Sequence, residues 1–583
     1  MYDVWNLDVI YQGFDHPDYT ADMEALKAAV SKTGELAGQL ESMDPLEGLR
    51  SGTALQEKIS QLVGKMGLYA SLRQSANTRD SEAGSQMGRI MNAYNGAAAP
   101  LAAFEEWASK LPNLMELVEG DEQLKDYTFR FANMKENSRH LLGAQGEEIM
   151  ARMEQSGGSA WSDLQSYVTS TVAVPYRDKT INLSAVRNLA YDPDPQVRKD
   201  AYEAELKCYE SIKDPVAFAL NSIKLETITD CQLRGHASPL DRTLKHSFMQ
   251  RKTLEAMLEA MDEYMPKFRQ YMKAKAKALG HEGGLPWYDL FAPMGNSSSK
   301  FTPQQAKDFL VKLFGGFDQE LADMVARAFD EDWIDFFPRD GKRGGAFCAG
   351  VECLGQSRIL TNFDGSFSDV VTLAHELGHA FHNQCIAHHR PLNQDYSMPV
   401  AETASTFNEC VVMAAAIAAA DKNEQLALIE SQLQDANQII CDIYSRFKFE
   451  AMVFENREEQ FMHAPQLCEF MTEAQKQTYG EGLDENCMHP FMWVCKSHYY
   501  GPTFYNFPYA FGGLFARGLY AQYEKEGAAF VPKYKKLLAA TPVSTAEDTA
   551  KVADIDLTDK NFWRAALQTI ADQIDLFCQL VAE

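Results

Sequence analysis

Apolar and polar residues follow helical spacing over long stretches of this chain, and short turns separate these stretches. The stretches are rich in Ala, Leu, Glu, Lys and Met, which have high helix propensity. They predict helices over residues 24–43, 141–153, 197–208 and 252–279, and a longer tract over 424–461 that is broken at least once. We therefore expect a large, mainly α protein.

Turns rich in proline and glycine divide the helical stretches. The clearest are Asp192-Pro193-Asp194-Pro195 and Gly283-Gly284-Leu285-Pro286. A length of 583 residues alone would suggest three or four domains. The turn that ends at residue 195 is nevertheless the best boundary in the sequence. We predict an N-terminal helical region over residues 1–195 and a catalytic region over 196–583, which carries the motif described next.

One helix can be predicted in detail, from its start to its buried face. Residues 366–369, Ser-Phe-Ser-Asp, offer hydroxyl and carboxylate groups that can cap a helix N-terminus. The apolar residues that follow recur at helical spacing and form a stripe that would dock on a core: Val370, Ala374, Leu377 and Phe381. His375 and His379 then lie on a neighbouring, more polar face.

His375, Glu376 and His379 form an HExxH motif on this helix. Residues four apart share one face, so both imidazoles can reach one metal ion, with Glu376 close enough to act on a metal-bound water. Two His ligands and a Glu general base are the arrangement of zinc hydrolases. The simpler interpretation, two surface histidines on an amphipathic helix, does not explain the Glu between them.

A catalytic zinc ion needs a third protein ligand and one open position. The pattern HExxHxxGxxH is disfavoured, because its last two positions hold His382 and Cys385 here. A Glu from a second helix is the alternative, and Glu402 fits, since residues 383–399 read as a loop. Glu402 could also be a solvated helix residue. His382 lies on the ligand face, where a packed or supporting histidine is favoured over a fourth ligand.

Glu409 lies two helical turns after Glu402, so the two carboxylates share a face. We expect Glu409 to hold a ligand histidine in one tautomer rather than to bind the metal itself. Residues 410–420 carry no charged side chain and predict a buried helix end. They are too few to span a membrane, which needs about 20 apolar residues.

These two segments together resemble the thimet oligopeptidase and oligoendopeptidase F family of zinc metallopeptidases. The resemblance rests on HELGHAFH at residues 375–382 and ETASTFNE at 402–409. It is closer to the oligoendopeptidase F branch, which includes the PZ peptidases that cleave collagen-derived peptides. Shorter matches extend over most of the chain, at residues 5–7, 182–184, 192–199, 344–348 and 359–363.

The resemblance implies a fold and a substrate class. It implies a mainly helical, two-lobed peptidase of the zincin type, with zinc in a deep substrate channel and a small β-sheet next to the HExxH helix. Such a channel would admit short unfolded peptides and exclude folded proteins. The segments at 344–348 and 359–363 would be the strands that precede the zinc helix.

The family also has a histidine and tyrosines that face the substrate, and the matching residues are His498, Tyr505 and Tyr509. Imidazoles and phenols can donate hydrogen bonds to the oxyanion of a tetrahedral intermediate. Gly501-Pro502 predicts an irregular loop that could position them. Without the resemblance, an aromatic cluster of this kind is more often core packing. The thimet oligopeptidase branch has a further tyrosine where Gly512 stands here.

Gly345, Ala346 and Phe347 are candidate backbone contacts for the substrate. Glycines weaken a strand but allow another backbone to approach closely. An exposed strand edge can pair with an extended peptide without demanding a particular side-chain sequence. An ordinary hairpin packed under the helix is the alternative that the residues alone leave open.

A mechanism follows from these assignments. One zinc ion per chain, held by His375, His379 and Glu402, would lower the pKa of its water from about 15.7 to about 7. Glu376 would take the proton, the hydroxide would attack the scissile carbonyl, and Glu376 would protonate the leaving amine. We expect an endopeptidase for short unstructured peptides. A zinc carboxypeptidase or dipeptidyl carboxypeptidase is the first alternative, and a noncatalytic peptide-binding protein is the second.

Composition agrees with a cytoplasmic enzyme. The net charge of −27 makes a nucleic-acid partner improbable, because such partners require positive charge. The acidity could steer cationic peptides or simply maintain solubility. The first residues lack a basic start and a long apolar stretch, so no signal segment and no membrane anchor are expected. The 11 scattered cysteines fit free thiols in a reducing compartment. Oligomeric state is not indicated.

Overall fold

The computed structural model of the protein describes residues 3–295 and 300–582. Most of these residues are helical, and the expected mainly α fold class is confirmed. The N-terminal part consists of helices followed by an antiparallel hairpin: α1 Pro17–Ala37, α2 Pro45–Ala76, α3 Ser81–Lys110, α4 Leu114–Glu119, α5 Thr128–Asn137, α6 Ala144–Ser156, α7 Gly158–Thr171, β1 Ala173–Tyr176 and β2 Lys179–Asn182.

The first predicted helix, 24–43, was placed too late in the sequence. Helix α1 begins at Pro17, whose fixed φ suits the first turn, and it ends at Ala37 before a separate 3₁₀ turn at Leu40–Ser42. Helix α2 also begins with a proline. There the Asp44 carboxylate accepts hydrogen bonds from two backbone N–H groups of the first turn.

The middle of the chain is a second series of helices: α8 Leu183–Asn188, α9 Pro195–Tyr209, α10 Lys213–Arg234, α11 Pro239–His246, α12 Arg251–Ala278, α13 Pro303–Gly315 and α14 Gln319–Asp330. Asp194 caps α9 by accepting a hydrogen bond from the Gln196 N–H at 2.8 Å. One apolar cluster contains Val174 and Leu183 together with Ala201 and Leu220, so packing continues across residue 195. The division into 1–195 and 196–583 stays a prediction.

A three-stranded sheet precedes the HExxH helix. Its strands are β3 Ile334–Asp335, β4 Phe347–Val351 and β5 Gln356–Leu360, in the order β3-β5-β4. β4 and β5 are antiparallel, and Phe347 lies opposite Leu360. The predicted strands at 344–348 and 359–363 were displaced by a few residues. Gly345 has a φ of +79°, which turns the chain away from the sheet before β4 begins.

The remaining chain is helical: α15 Phe367–Ile386, α16 Met398–Ala401, α17 Thr403–Ala419, α18 Lys422–Asn437, α19 Ile443–Arg457, α20 Ala464–Tyr479, α21 Met492–Cys495, α22 Phe507–Glu526, α23 Val531–Ala540, α24 Ala546–Lys551 and α25 Lys560–Ala582. The tract predicted over 424–461 is broken as expected, by a π-helical segment at Gln438–Asp442. The loop predicted over 383–399 is partly wrong, because α15 continues to Ile386 and α16 forms before Glu402.

Two apolar clusters hold α15 and the neighbouring sheet in place. The largest core cluster collects buried residues of α15, α17 and α22. A second cluster joins the N-terminal part of the chain to the sheet, through Trp5 and Tyr69 on one side and Val351 and Leu360 on the other. All 11 cysteines carry free thiols. Across the two described stretches, helices that are long and apolar enough to cross a membrane are absent.

Candidate active site

Helix α15, which carries the HExxH motif, is fixed at its start by reciprocal hydrogen bonds. Ser366 Oγ accepts from the Asp369 N–H at 3.2 Å, and the Asp369 carboxylate accepts from the Ser366 N–H at 3.1 Å. This capping box satisfies two N–H groups that lack partners within the helix. The predicted apolar stripe is buried: Val370, Ala374, Leu377 and Phe381. The start of α15 and the face by which it docks on the core are therefore as predicted.

His375, His379 and Glu402 bring their side chains together at the surface of this helix. Glu402 Oε2 lies 3.2 Å from His375 Nε2 and 3.3 Å from His379 Nε2. The three candidate ligand atoms all lie within 4.8 Å of one another. Among the described residues, this is the one group of three His, Cys, Asp or Glu side chains with that geometry. The three side chains could hold a metal ion between them.

Glu402 occupies the short junction between α16 and α17. It precedes the first residue of α17, and its carboxylate accepts a hydrogen bond from Ser405 Oγ at 2.7 Å. Helix α22 packs against this junction through Gly512. A Cβ atom at residue 512 would lie 3.3 Å from Glu402 Cβ and 3.4 Å from the Pro399 carbonyl oxygen. The tyrosine of the thimet branch is thus replaced by a close contact between backbone segments.

Glu409 lies behind His375. Its Oε1 is 2.5 Å from His375 Nδ1, which leaves Nε2 as the nitrogen that faces Glu402 and His379. Burial lowers the pKa of His375, but the hydrogen bonds to Glu402 and Glu409 outweigh it and raise the pKa to about 10. The two carboxylates therefore create a negative potential that stabilises positive charge between the histidines.

Glu376 is buried between α15 and strand β4, with only 6% of its surface exposed. Burial raises its pKa, although the neighbouring histidines act in the opposite direction. On the strand, burial and the nearby Glu376 carboxylate raise the pKa of the Cys348 thiol. A desolvated carboxylate binds a proton more readily than an exposed one, which suits a group that must accept a proton and release it.

His382 points into the core. It is fully buried, its Nε2 lies 2.8 Å from Thr541 Oγ1, and its ring stacks on Tyr396 at 4.1 Å between centroids. Burial lowers the pKa of His382 to about 3, so the ring is neutral at pH 7. It is not part of the His375, His379 and Glu402 group. The packed position agrees with the interpretation favoured from the sequence.

His498, Tyr505 and Tyr509 form one aromatic cluster. His498 lies in a 3₁₀ turn at Ser497–Tyr500, and its ring centroid is 5.6 Å from that of Tyr505 and 5.7 Å from that of Tyr509. The tyrosine rings are 5.8 Å apart. Burial raises the pKa of Tyr509 to about 12, which keeps its phenol protonated at neutral pH. The structure thus brings these three predicted residues together.

Sequence reasoning missed Arg446, which contacts His498 from α19. Its guanidinium donates to His498 Nδ1 at 3.3 Å and pairs with Asp442, one turn earlier. Because arginine only donates, His498 carries its proton on Nε2. Burial and the positive charges of Arg446 and Lys496 lower the pKa of His498 to about 4. The signal for this pair in the sequence was two charged residues, Asp442 and Arg446, four positions apart inside an apolar helical tract.

Gly345, Ala346 and Phe347 lie where the chain enters strand β4. Gly345 is exposed, and its carbonyl accepts a hydrogen bond from Asn362 Nδ2 at 2.8 Å, while Ala346 and Phe347 are half-buried. β4 pairs with β5 along one side and forms the edge of the sheet as described. At the next residue of the strand, the nearby Glu376 carboxylate contributes to the raised pKa of the Cys348 thiol. The arrangement allows an extended peptide to add to the free edge.

A cavity of about 810 Å³ adjoins the aromatic cluster. Tyr505 and Met398, a residue of α16 close to Glu402, lie in its wall, and helices α6, α7, α10 and α11 supply most of the rest. Several carboxylates line it, including Glu154, Asp163 and Glu226. The volume is within the range of sites that enclose small ligands.

Gly378, between the two histidines, allows α15 and α17 to touch. A Cβ atom there would lie 2.5 Å from the Ala404 carbonyl oxygen and 2.6 Å from Ser405 Cα. Both are backbone atoms, so the helices would have to separate. We expect Gly378→Ala to lower the free energy of unfolding by about 1–3 kcal/mol and to weaken metal binding, because separating the helices would move His379 away from Glu402. Denaturant unfolding and zinc titration measure both effects.

Gly64→Ala is a matched control for Gly378→Ala. Gly64 is exposed within α2, and a Cβ atom there would have no neighbour within 4 Å. Alanine should stabilise that helix by up to about 1 kcal/mol. Equal stability and equal zinc affinity of the two variants would show that the Gly378 contact is unimportant.

Comparison with known proteins decides the family. Residues 188–569 match the model of peptidase family M3, and residues 112–172 match that of oligopeptidase F. The first match covers more than half of the chain. The chain belongs to peptidase family M3.

Relatives and solved structures agree with the M3 assignment. Oligopeptidase PepF of Bacillus subtilis is 23% identical over an alignment of 585 positions that covers 98% of this chain and 86% of PepF. Oligoendopeptidase-F from Enterococcus faecium superposes with a TM-score of 0.73 at 16% identity, over 97% of this chain and 99% of that one. PZ peptidase A superposes with a TM-score of 0.70 at 16% identity, over 95% of this chain and 97% of that one.

These similarities confirm the resemblance to the oligoendopeptidase F branch, including PZ peptidase. At such low identity the solved structures are evidence for the fold alone. They confirm the helical peptidase fold with its small sheets. Membership of M3 makes the protein a peptidase, an enzyme that hydrolyses peptide bonds.

Proposed function

We propose that this M3 peptidase is a zinc-dependent oligoendopeptidase that cleaves internal bonds of short, unstructured peptides. One observation carries the proposal: two imidazole nitrogens and a carboxylate oxygen, from His375, His379 and Glu402, converge beside the buried carboxylate of Glu376. Binding alone would not require a buried carboxylate next to such a cluster.

The donor set fits zinc. Catalytic zinc sites use three protein ligands, commonly two His and one Glu, and leave a fourth position for water or substrate. His375, His379 and Glu402 would hold the ion, and Glu409 would orient His375 through the 2.5 Å contact at Nδ1. The negative potential that raises the pKa of His375 favours a divalent cation at the same place. Ca²⁺ and Mg²⁺ prefer oxygen ligands and fit this set less well.

Glu376 is the proposed general base. When bound, zinc supplies Lewis acidity, which lowers the pKa of water from about 15.7 to about 7 and polarises a carbonyl. Glu376 takes a proton from the attacking water and then donates it to the leaving amine. Its burial favours this exchange, because a raised pKa brings the carboxylate closer to the pH at which it works.

His498, Tyr505 and Tyr509 are the proposed donors to the oxyanion of the tetrahedral intermediate. Two features support these roles: the neutral His498 has its proton on Nε2, and the Tyr509 phenol stays protonated. A preorganised donor of this kind typically contributes about 3 kcal/mol to transition-state stabilisation. The proximity of the three rings lets them act on one substrate group.

Substrate binding is proposed to use the strand edge and, separately, the cavity that adjoins the aromatic cluster. Gly345, Ala346 and Phe347 would contact the peptide backbone, which gives affinity with little side-chain selectivity. The roughly 810 Å³ cavity beside Tyr505 has room for a few peptide residues. Short peptides are therefore the proposed partners. The cytoplasmic location and the division at residue 195 remain predictions.

Hydrolysis of a peptide blocked at both ends tests the proposal. We expect internal cleavage that stops when a chelator removes zinc and returns when one equivalent of zinc per chain is restored. Mass spectrometry of the products, together with metal analysis of each sample, measures both parts.

The same digestion distinguishes the other functions. A carboxypeptidase or dipeptidyl carboxypeptidase would leave the blocked peptide intact and shorten its unblocked counterpart from the C-terminus. Binding of the peptide without chelator-sensitive cleavage would identify a noncatalytic protein. Either result would reject the oligoendopeptidase proposal.

A further inference from the structure

The two residues on either side of Tyr505 donate hydrogen bonds to one buried carboxylate, that of Glu450 in α19, Phe504 from its backbone and Asn506 from its side chain. Glu450 Oε1 accepts a hydrogen bond from the Phe504 N–H at 3.1 Å, and Oε2 accepts one from Asn506 Nδ2 at 3.3 Å. Lys224 of α10 donates to Oε1 at 2.6 Å. Glu450 and Asn506 are completely buried, and Lys224 is 1% exposed.

Phe504 has a backbone conformation that would not persist without support. Its φ is +51°, in the left-handed region that a residue with a bulky side chain rarely adopts. Such strained residues remain only where the surrounding structure holds them, and they cluster at functional sites. Here the Phe504 N–H is held by Glu450 and its ring packs against Phe447 and Phe454. The strained residue comes immediately before Tyr505.

A buried ion pair is a costly way to hold a loop. Removing two charges from water consumes much of the energy that their attraction returns, so apolar side chains of similar size often give equal stability. The Lys224–Glu450 pair is therefore poorly explained by stability alone. Its carboxylate has a specific ability that an apolar side chain lacks, because it accepts hydrogen bonds from both neighbours of Tyr505 at once.

We propose that Glu450 is a positioning residue for Tyr505: charged and fixed by Lys224, it clamps residues 504 and 506 so that the Tyr505 phenol is held at the reacting carbonyl. This inference rests on the proposed function, in which Tyr505 is an oxyanion donor. Glu450 itself lies behind the loop and is not expected to touch substrate. A displacement of about 1 Å at a reacting centre can cost about 100-fold in rate, so a loosened loop should lower kcat more than it changes KM.

Glu450→Gln and Tyr505→Phe, alone and combined, test the inference. Glutamine at 450 cannot accept from Lys224, the Phe504 N–H and Asn506 together. We expect Glu450→Gln to lower kcat about tenfold or more with KM changed less than about twofold. If Glu450 acts through Tyr505, the double variant should be no slower than the slower single variant. Steady-state kinetics and zinc content measure these effects.

Glu430→Gln is the matched control. Glu430 is also buried and paired with a buried lysine, since Lys275 Nζ lies 2.6 Å from its Oε1. It has no contact with the loop at 503–506 among the hydrogen bonds described for its side chain. We expect a loss of stability comparable to that of Glu450→Gln, measured by the thermal midpoint, with kcat essentially unchanged.

A second variant separates positioning from folding. Lys224→Met combined with Glu450→Leu removes both charges, so neither is left buried and unpaired. We expect a folded protein with full zinc content and a kcat reduced about tenfold or more, again without further loss on adding Tyr505→Phe.

Three results would overturn the inference while leaving the proposed function intact. They are an unchanged kcat in Glu450→Gln, losses that multiply when Tyr505→Phe is added, and an equal loss of kcat in Glu430→Gln. The proposed function fails separately. Wild-type protein that does not cleave peptides, or Tyr505→Phe with undiminished kcat, would remove the role of Tyr505 before Glu450 is considered.

Discussion

Glu376→Gln should retain zinc and lose nearly all peptide hydrolysis. Glutamine has almost the same size and shape as glutamate, so the contacts of α15 with the sheet and with α17 should survive. Its amide cannot accept a proton from water at neutral pH. General acid–base groups contribute about 10²- to 10⁴-fold to rate, and we expect a fall in kcat of at least about 1,000-fold, with KM nearly unchanged because only the transition state loses an interaction.

Metal analysis and steady-state kinetics on the same preparation check this result. Glu455→Gln is a suitable control, since Glu455 is exposed on α19 and should tolerate the same change with full activity. A Glu376→Gln variant that binds zinc fully and retains a tenth of the wild-type kcat would eliminate Glu376 as the general base.

Glu402→Ala should lose both metal and activity. It removes one of the three proposed protein ligands, whereas loss of a group that orients a ligand from behind typically costs about 10- to 100-fold in metal affinity. We therefore expect zinc affinity to fall by more than about 100-fold in Glu402→Ala and by about 10- to 100-fold in Glu409→Gln. Titration of zinc against a competing chelator measures both values.

The comparison between the two glutamates is informative because they lie on opposite sides of the same histidine. Glu402 Oε2 approaches His375 Nε2, and Glu409 Oε1 approaches Nδ1. Full zinc occupancy in Glu402→Ala, or a larger loss in Glu409→Gln than in Glu402→Ala, would mean that the third ligand has been assigned to the wrong residue.

Local signals in the sequence predicted the central helix well. The Ser366 cap, the buried stripe from Val370 to Phe381 and the polar position of His375 and His379 depend on residues within a few turns of one another. The boundaries that were wrong had competing local signals. Polar residues from 383 onward favoured a loop, although α15 continues to Ile386, whose side chain is buried.

Contacts between distant parts of the chain could not be predicted in the same way. Glu402 was chosen as a Glu of a second helix beyond a predicted loop, but helical spacing does not show that it reaches the histidines. Its approach to His379 depends on Gly378, which allows the α15–α17 contact. Arg446 and His498 are separated by 52 residues, and Glu450 and Phe504 by 54. Helical spacing alone places Arg446 and Glu450 on one face of α19, but it does not identify what that face contacts.

The most direct test of the account is a crystal structure of the zinc-loaded protein, with anomalous diffraction recorded on both sides of the zinc absorption edge. We expect one zinc peak per chain, bonded to His375, His379 and Glu402, with Glu409 still on the far side of His375. A zinc-replete crystal with these three side chains apart and no peak between them would contradict it.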